Sequence, residues 1–222
     1  MALTDYPRPS VAVDTAVLTF DDNRLAVLAV HGPGGAPVLP GKFLRQGKRL
    51  REAASDALTE KAGLRTDVVE QIEELAMFDD PNRDDRGWVL SMAHTVAVPR
   101  DRLPDDAILI PVIQGAAREA LGYDHNAMVV RAVTHLRSRY AEKVDPAHFL
   151  GDMFTVLDLR RLYEAIFERR FPKDTFRRHV LDGLLSTGET TVAGRGRPAE
   201  LFRRSGSALP PTAVAAFLHN PR

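Results

Sequence analysis

LPGKFLRQGKRLREAASDALTEKAGL, residues 39–64, decides the fold of the N-terminal half of the chain. Apolar residues recur in it at the i, i+3, i+4, i+7 and i+8 positions that form one buried face of a helix, namely Leu50, Ala53, Ala54, Ala57 and Leu58. Gly63 follows at a position where helices favour a residue in the left-handed conformation. Pro40, Gly41 and Gly47 predict a sharply bent loop before the helix. The stretch therefore predicts a tight loop followed by one amphipathic helix.

This loop and helix resemble a Nudix box. The family motif is Gly, five residues, Glu, seven residues, Arg-Glu, an apolar residue, one residue, Glu-Glu, one residue, Gly and an apolar residue. Its glutamates hold a divalent metal ion beside a pyrophosphate, and hard cations such as Mg²⁺ need several such oxygen ligands. In the alignment on Gly47 and Gly63, Lys42 takes the place of the first glycine.

Most of the carboxylates of the motif are replaced in this chain. Lys48 stands at the first glutamate, Ala57 and Lys61 stand at two others, and only Glu60 remains; Asp56 replaces the arginine. A lysine repels a metal ion and attracts a phosphate. The sequence therefore predicts a Nudix frame that binds a nucleotide diphosphate without hydrolysing it. The alternative is an ordinary amphipathic helix bounded by glycines, which occurs in many folds.

Composition limits the class of protein. The chain has 222 residues and no cysteine, which excludes disulfides and thiolate metal sites and is consistent with a reducing cytosol. The first ten residues lack the basic and apolar runs of a signal peptide. No apolar run approaches the ~20 residues of a membrane helix. We therefore expect a cytoplasmic protein that has no membrane segment.

Charge is divided unevenly along the chain. Residues 1–146 carry 18 Lys+Arg against 22 Asp+Glu, whereas residues 147–222 carry 12 against 8, which gives −4 and +4. A basic half is a candidate for binding a polyanion. The Val-Asp-Pro sequence at residues 144–146 predicts a domain boundary there. We expect residues 1–146 to bind an effector and form a dimer, and residues 147–222 to form a second domain with a short tail.

The remaining N-terminal sequence predicts a sheet and one further helix. Residues 11–31 predict two strands around an Asp-Asp-Asn turn. Further strands are predicted at residues 67–78, 88–98 and 105–114. Asp124 is predicted to cap a linker helix over residues 125–143. His125 and His135 do not share a face of that helix neatly, so we interpret both as structural.

The polar loop at residues 79–87 contains Asp-Pro-x-Arg-Asp-x-Arg-Gly, beginning at Asp80. It resembles a loop of ADP-ribose-type Nudix domains. Arg83 and Arg86 are suited to clamp a diphosphate or stack on a base; the alternative is an ordinary solvated loop. The predicted effector-binding residues are Lys42, Arg45, Lys48, Glu60, Phe78, Arg83 and Arg86.

The basic half predicts two helices and a hairpin. Thr155 and Asp158 form a capping-box pattern before the first helix, and the second is predicted from about Lys173 to Leu185. A Gly-Arg-Gly-Arg-Pro turn between two strands follows. This order is that of a winged helix, with the second helix in the major groove and the wing arginines at a minor groove or the backbone. The predicted DNA-binding residues are Lys173, Thr175, Arg177, Arg178, Arg195 and Arg197.

Two further expectations concern this half. The tail that begins at Ser205 is rich in proline and alanine and is predicted to be weakly ordered. The alternative to DNA binding is a winged helix that mediates protein contacts only, on a Nudix fold that serves as a dimerisation platform.

Three features carry a further resemblance: the altered box, the loop at residues 79–87 (the arginine loop) and the closing run at residues 194–202. They occur in the order found in the NrtR family of Nudix-related regulators of NAD metabolism. The chain resembles this family from about residue 11 to residue 203. The resemblance implies an α+β chain in which a Nudix-like α/β/α sandwich precedes a winged helix-turn-helix domain. It implies a homodimer that binds a palindromic operator in double-stranded DNA and represses NAD biosynthesis or salvage genes. ADP-ribose or a related nucleotide would be the effector, with no hydrolase activity, no metal and no required cofactor.

One enzymatic alternative remains. An active ADP-ribose pyrophosphatase with an appended winged helix would have to hold its metal with Glu60 and Glu52, which lies two turns earlier on the helix. The loss of three carboxylates argues against it.

Overall fold

The computed structural model describes residues 5–65, 67, 71–191 and 198–219. Its N-terminal strands are β1 (Ser10–Asp21), β2 (Arg24–His31), β3 (Pro37–Val38), β4 (Gly41–Phe43), β5 (Glu73–Phe78), β6 (Val89–Ala97), β7 (Ile108–Ile113) and β8 (Ala116–Ala117). Among the described residues, the longer helices of this half are α1 (Leu50–Ala62) and α2 (His125–Glu142). The C-terminal elements are β9 (Phe154–Thr155), α3 (Val156–Phe167), α4 (Lys173–Val180), β10 (Leu184–Thr190), β11 (Glu200–Arg204) and α5 (Pro211–Leu218).

The large sheet has the strand order β5-β6-β1-β2-β7-β8, with β4 paired to β1 and β3 paired to β2. Strands β1 and β6 run parallel, and the other pairs are antiparallel. Asp22 and Asn23, both with positive φ, form the two-residue turn that joins β1 to β2. The hairpin predicted over residues 11–31 is therefore confirmed.

Side chains of β1 alternate between the two faces of the sheet, and each face is covered by one helix. Val13 and Val17 pack with α1, whereas Ala16 and Leu18 pack with α2. This arrangement is the predicted α/β/α sandwich. Within the described residues, no helix is both long and apolar enough to cross a bilayer.

Helix α1 forms as its sequence predicts. Ala53, Ala54, Ala57 and Leu58 are buried against the sheet. Gly63 ends the helix with φ 64°, a left-handed conformation that costs glycine little.

The C-terminal half is a winged helix. Strands β10, β11 and β9 form a three-stranded sheet in that order, and α3 and α4 pack beside it. The capping box predicted for α3 is present: Thr155 Oγ1 accepts from the Asp158 N–H at 3.2 Å, and Asp158 Oδ2 accepts from the Thr155 N–H at 3.1 Å.

The second helix is shorter than predicted. It ends at Val180, and after a 3-10 turn the chain enters β10 at Leu184. At Gly183 a Cβ would lie 2.3 Å from Val144 Cγ2, so the backbone there packs directly on the domain junction. The sequence also predicts that Leu185 faces inward on this helix, but the residue lies on β10 and is exposed. A short apolar run fits a helix and a strand equally well, which is why the sequence misled.

The prediction of a weakly ordered tail is wrong. Residues 211–218 form α5, and Phe217 is buried with its ring centroid 5.0 Å from that of Tyr163 and 5.7 Å from that of Phe167. The Arg169 guanidinium donates to the carbonyls of Ala216 and Phe217 at the C-terminal end of α5. A cation at this end satisfies carbonyls that lack helical partners.

The junction between the two halves is packed and polar. Asp145 is fully buried and accepts hydrogen bonds from the Tyr140 hydroxyl at 2.6 Å and from the Phe149 and Leu150 N–H groups at 3.0 and 3.1 Å. Its carboxylate also pairs with Arg204, which is the last residue of β11. One hydrophobic core continues through this point from the sheet to the aromatic residues around α5. The domain boundary predicted at residues 144–146 stays a prediction.

Candidate functional site

Two adjoining cavities open on the N-terminal, Nudix-like half of the chain (the Nudix half). They lie where the loop before α1, residues 39–49, meets the arginine loop, residues 79–87. One has a volume of about 460 Å³, and the other has a volume of about 800 Å³. Arg83, Arg86 and Tyr123 line both of them. Of the predicted effector-binding residues, Lys42 and Arg45 also line the smaller cavity.

Three predicted residues lie outside the cavity walls. Lys48 is on the exposed loop before α1, 3.8 Å from the Asp56 carboxylate. Glu60 lies behind Lys42, to which it is bonded. Phe78, at the end of β5, is half-buried against the hydrophobic core. The roles of all seven residues in effector binding stay predictions.

Arg83 is held inside the protein. Its Nε and Nη2 atoms donate to the two carboxylate oxygens of Asp124 at 2.9 and 2.7 Å, and its side chain is 3% exposed. Helix α2 begins where predicted, but the Asp124 carboxylate caps no N–H of that helix because Arg83 occupies it. The bidentate pair therefore joins the arginine loop to the start of α2.

Asp14 forms the buried floor of the smaller cavity. It accepts from the Ser91 hydroxyl at 2.6 Å and lies 3.6 Å from His125 Nε2 and 3.7 Å from Arg83 Nη2. Burial opposes its ionisation, but the interaction with His125, the hydrogen bond from Ser91 and the charge of Arg83 outweigh that effect and lower the pKa of Asp14. His125 Nδ1 accepts from the Leu39 N–H at 2.9 Å, and the residue also lines the smaller cavity, so the interpretation of His125 as structural stays a prediction.

Arg86 presents a half-exposed guanidinium to both cavities. It pairs with both carboxylate oxygens of Asp84 at 2.8 and 2.6 Å, and this hydrogen bonding lowers the pKa of Asp84. The guanidinium carbon lies 5.4 Å from the centroid of the Phe43 ring and 5.3 Å from that of Tyr123. Exposed rings beside an arginine are suited to stack on a nucleobase.

Phe43 and Tyr123 are not among the predicted effector-binding residues. Both are large, exposed side chains, at 42% and 39%, but they are 80 residues apart in the sequence. No local pattern reports that they meet at Arg86.

Cations occupy the Nudix box. Lys42 Nζ lies 2.7 Å from Glu60 Oε1, and Lys61 Nζ donates to the Gly41 carbonyl. The surviving carboxylate of the box is thus bonded to a lysine, and within the described residues there is no group of three His, Cys, Asp or Glu side chains suited to a metal ion. The donor set does not fit the divalent metal of a Nudix hydrolase.

Helix α4 is the candidate DNA-binding element. Phe176 and Val180 face the core, which leaves Lys173, Arg177 and Arg178 exposed. Arg177 Nη2 lies 3.8 Å from Glu200 Oε2 on β11. The remaining predicted DNA-binding residues are Thr175, which is half-buried on α4, and Arg195 and Arg197, which lie outside the described residues.

Comparisons with known proteins match both halves. The family model of the NrtR DNA-binding winged helix domain matches residues 146–204. The "ADPR responsive transcriptional repressor NtrR" of Acinetobacter baylyi is 26% identical over 213 residues, which cover 90% of this chain and 84% of the relative. The crystal structure of Shewanella oneidensis NrtR complexed with a 27mer DNA is similar with a TM-score of 0.70 and 26% identity, covering 92% of this chain and 95% of that one.

A MutT/nudix family protein from Enterococcus faecalis shares the fold. Its crystal structure is similar with a TM-score of 0.69 and 20% identity, and the match covers 92% of this chain and 90% of that one. The expected architecture, a Nudix-like domain followed by a winged helix, is confirmed.

Proposed function

We propose that this chain is a member of the NrtR family of Nudix-related transcriptional regulators and a DNA-binding repressor whose Nudix half senses ADP-ribose or a related nucleotide. The observation that carries the proposal is the match to a DNA-bound NrtR over nearly the whole chain, winged helix included. The Acinetobacter relative, named as ADPR responsive, supports the choice of effector. We further propose that it works in the cytoplasm on genes of NAD biosynthesis or salvage.

We propose that the Nudix half does not hydrolyse its ligand. The support is the replacement of the other box carboxylates by Lys48, Ala57 and Lys61, which leaves Glu60 as the last carboxylate of the box. Incubation of pure protein with ADP-ribose and Mg²⁺ is expected to release no product. Steady turnover that disappears in Glu60→Gln would establish the alternative, an active pyrophosphatase.

The proposed operator contact is the exposed side of α4. Arg177→Ala is expected to weaken operator binding by about 1–3 kcal/mol and to relax sequence preference at one position, because a base contact would be lost. Fluorescence anisotropy on labelled operator measures this, with Arg118→Ala, an exposed arginine of the Nudix half, as the matched control. Equal affinity of wild type and Arg177→Ala would mean that another surface binds DNA.

Phosphate contacts should make operator binding depend on salt. A dimer that neutralises ~6–10 phosphates is expected to lose about 10³–10⁵ in affinity between 50 and 200 mM salt, because binding releases condensed counterions. A flat salt dependence would favour the alternative in which the winged helix binds protein.

We propose a homodimer on a palindromic operator. One recognition helix reads only a few base pairs, so specificity calls for two copies. The chain has a mass of 24.5 kDa, and light scattering at micromolar protein concentration is expected to give twice this mass. A monomer that binds DNA one to one would contradict this.

Helix α2 is the proposed route between ligand and DNA. Asp124, just before it, is held by Arg83 of the site, and near its end Tyr140 donates to Asp145, which pairs with Arg204 of the wing strand β11. A shift of α2 would therefore change the position of β11. An effector acts only through different affinities for the free and DNA-bound forms.

The test of sensing is a titration of the labelled operator complex with ADP-ribose, NAD and ATP in parallel. ADP-ribose is expected to release the operator, and a tenfold weakening corresponds to about 1.4 kcal/mol of coupling, with the operator weakening ligand binding by the same factor. If none of the three changes DNA affinity and calorimetry detects no binding to the protein alone, the proposed sensor function is wrong.

A further inference from the structure

The smaller cavity carries an excess of positive charge beside the box. Its lining includes five Lys and Arg side chains and two Asp side chains. Both carboxylates have an arginine partner: Asp14 Oδ2 lies 3.7 Å from Arg83 Nη2, and Asp84 Oδ2 lies 2.6 Å from Arg86 Nη2. Lys42, Arg45 and Lys61 are the remaining cations of the lining, and an anion of two charges would be attracted to them.

Lys42 has one carboxylate partner in the described structure, and that partner stands outside the cavity. Glu60 Oε1 accepts from Lys42 Nζ at 2.7 Å, with the lysine side chain 18% and the glutamate side chain 60% exposed. An ion pair with so exposed a partner contributes little to stability. Lys61 is bonded to the neutral Gly41 carbonyl. Both ammonium groups are thus available at small cost to a stronger anionic partner.

We propose that a nucleoside diphosphate binds here without metal, with the ammonium groups of Lys42 and Lys61 on the diphosphate, and that Glu60 is an internal counter-ion which the diphosphate displaces from Lys42. The inference rests on the proposed function and assigns the chemistry of the same site. Glu60 thereby opposes ligand binding, the reverse of the part that a box glutamate plays as a metal ligand.

The arrangement predicts an unusual sign for one substitution. Glu60→Gln removes the competing charge and is expected to strengthen ADP-ribose binding by about three- to tenfold at low salt. Lys42→Gln and Lys61→Gln are each expected to weaken it by about tenfold, because each removes a charge-assisted contact to phosphate. EDTA is expected to leave the affinity unchanged, and excess Mg²⁺ to leave it unchanged or lower it by complexing the free ligand.

The matched control is Asp56→Asn. It removes one negative charge from the same helix, one turn before Glu60, but the partner of Asp56 is Lys48, which does not line the cavity. A general effect of helix charge would strengthen binding equally in both variants, whereas the proposal requires the effect to be larger in Glu60→Gln. Thermal melts check that both variants fold.

The experiment is isothermal calorimetry of the full chain with ADP-ribose, in EDTA and in Mg²⁺. Tighter binding by Glu60→Gln in EDTA, with Asp56→Asn close to wild type, supports the proposal. Binding that needs Mg²⁺ and weakens in Glu60→Gln, or an equal gain in the control, overturns it and leaves the sensor function standing. If wild type binds ADP-ribose in neither buffer, the proposed effector is wrong, and this inference falls with it.

Discussion

Opposite charges are paired at the Nudix box and at the domain junction, in different surroundings. At the box the Lys42–Glu60 pair has side chains 18% and 60% exposed, whereas at the junction the Arg204–Asp145 pair has side chains 10% and 0% exposed. The junction carboxylate also accepts three further hydrogen bonds.

The difference in solvent access separates the roles of the two pairs. An exposed pair exchanges readily with water or with another ion and contributes little to stability. A buried carboxylate needs its partners, since removing them leaves an uncompensated charge. The box pair is therefore suited to give way to a ligand, and the junction pair is suited to hold α2 and β11 in one geometry.

The largest effect is expected at the junction. Asp145→Ala should lower the free energy of unfolding by about 3–5 kcal/mol, because it leaves the Arg204 guanidinium without its buried partner. Urea unfolding followed by circular dichroism measures the change. Asp152→Ala, an exposed aspartate of the same segment, serves as control, and equal losses in the two variants would remove the distinction between buried and exposed charge.

An intermediate effect is expected at Arg83. Arg83→Ala should lower the free energy of unfolding by about 2–3 kcal/mol. This is less than at the junction, because the Asp124 side chain left without its partner is 23% exposed. Operator binding should persist while the response to ADP-ribose is lost, since the loop is no longer joined to α2.

Arg86→Ala is the matched arginine for this comparison. Its own side chain is 53% exposed, but the Asp84 carboxylate with which it pairs is 2% exposed. We therefore expect Arg86→Ala to lower the free energy of unfolding by about 1–3 kcal/mol, because a buried carboxylate loses its partner, and also to abolish the response through the loss of a ligand contact. A variant of Arg83 that kept the full response would exclude the proposed route through α2.

The hydroxyl of Tyr140 offers a finer test of the junction. Burial and the Asp145 carboxylate raise the pKa of Tyr140 well above its usual value, so the phenol keeps its proton and donates it in a hydrogen bond. Tyr140→Phe should cost about 1.5–3 kcal/mol, the range for hydrogen bonds to charged groups. Tyr163→Phe loses a bond to the neutral Tyr140 carbonyl and should cost about 0.5–1.5 kcal/mol. The reverse order in thermal melts would contradict a charged acceptor.

The smallest effect is expected at the box. Lys48→Ala removes a pair whose atoms are 3.8 Å apart and whose side chains are 47% and 40% exposed. The free energy of unfolding should change by less than about 0.5 kcal/mol, and any change should vanish in 1 M salt. A loss as large as that in Asp145→Ala would show that exposure does not decide the strength of these pairs.

Local signals in the sequence were sufficient for the elements that depend on near neighbours. The apolar spacing and Gly63 gave α1, the Asp22-Asn23 turn gave the β1–β2 hairpin, and the Thr155–Asp158 pattern gave the start of α3. In each case the interacting residues are close together in the sequence.

Local signals are insufficient where packing between distant residues decides the structure. The tail was predicted to be weakly ordered because its proline and alanine content offers no local reason for structure; α5 is ordered by Phe217 against Tyr163 and Phe167. Helix α4 stops at Val180 because Gly183 meets the junction. Neither contact can be read from neighbouring residues.

By itself, the sequence determined the order of the two domains and the chemical character of the box, because residue type fixes charge and local spacing fixes helices and turns. Only the tertiary structure decided that Arg83 is bonded to Asp124, 41 residues away, and Arg204 to Asp145, 59 residues away. A sequence lists which groups carry charge, whereas the strength and role of each charge depend on its partner and on its distance from water, and folding sets both.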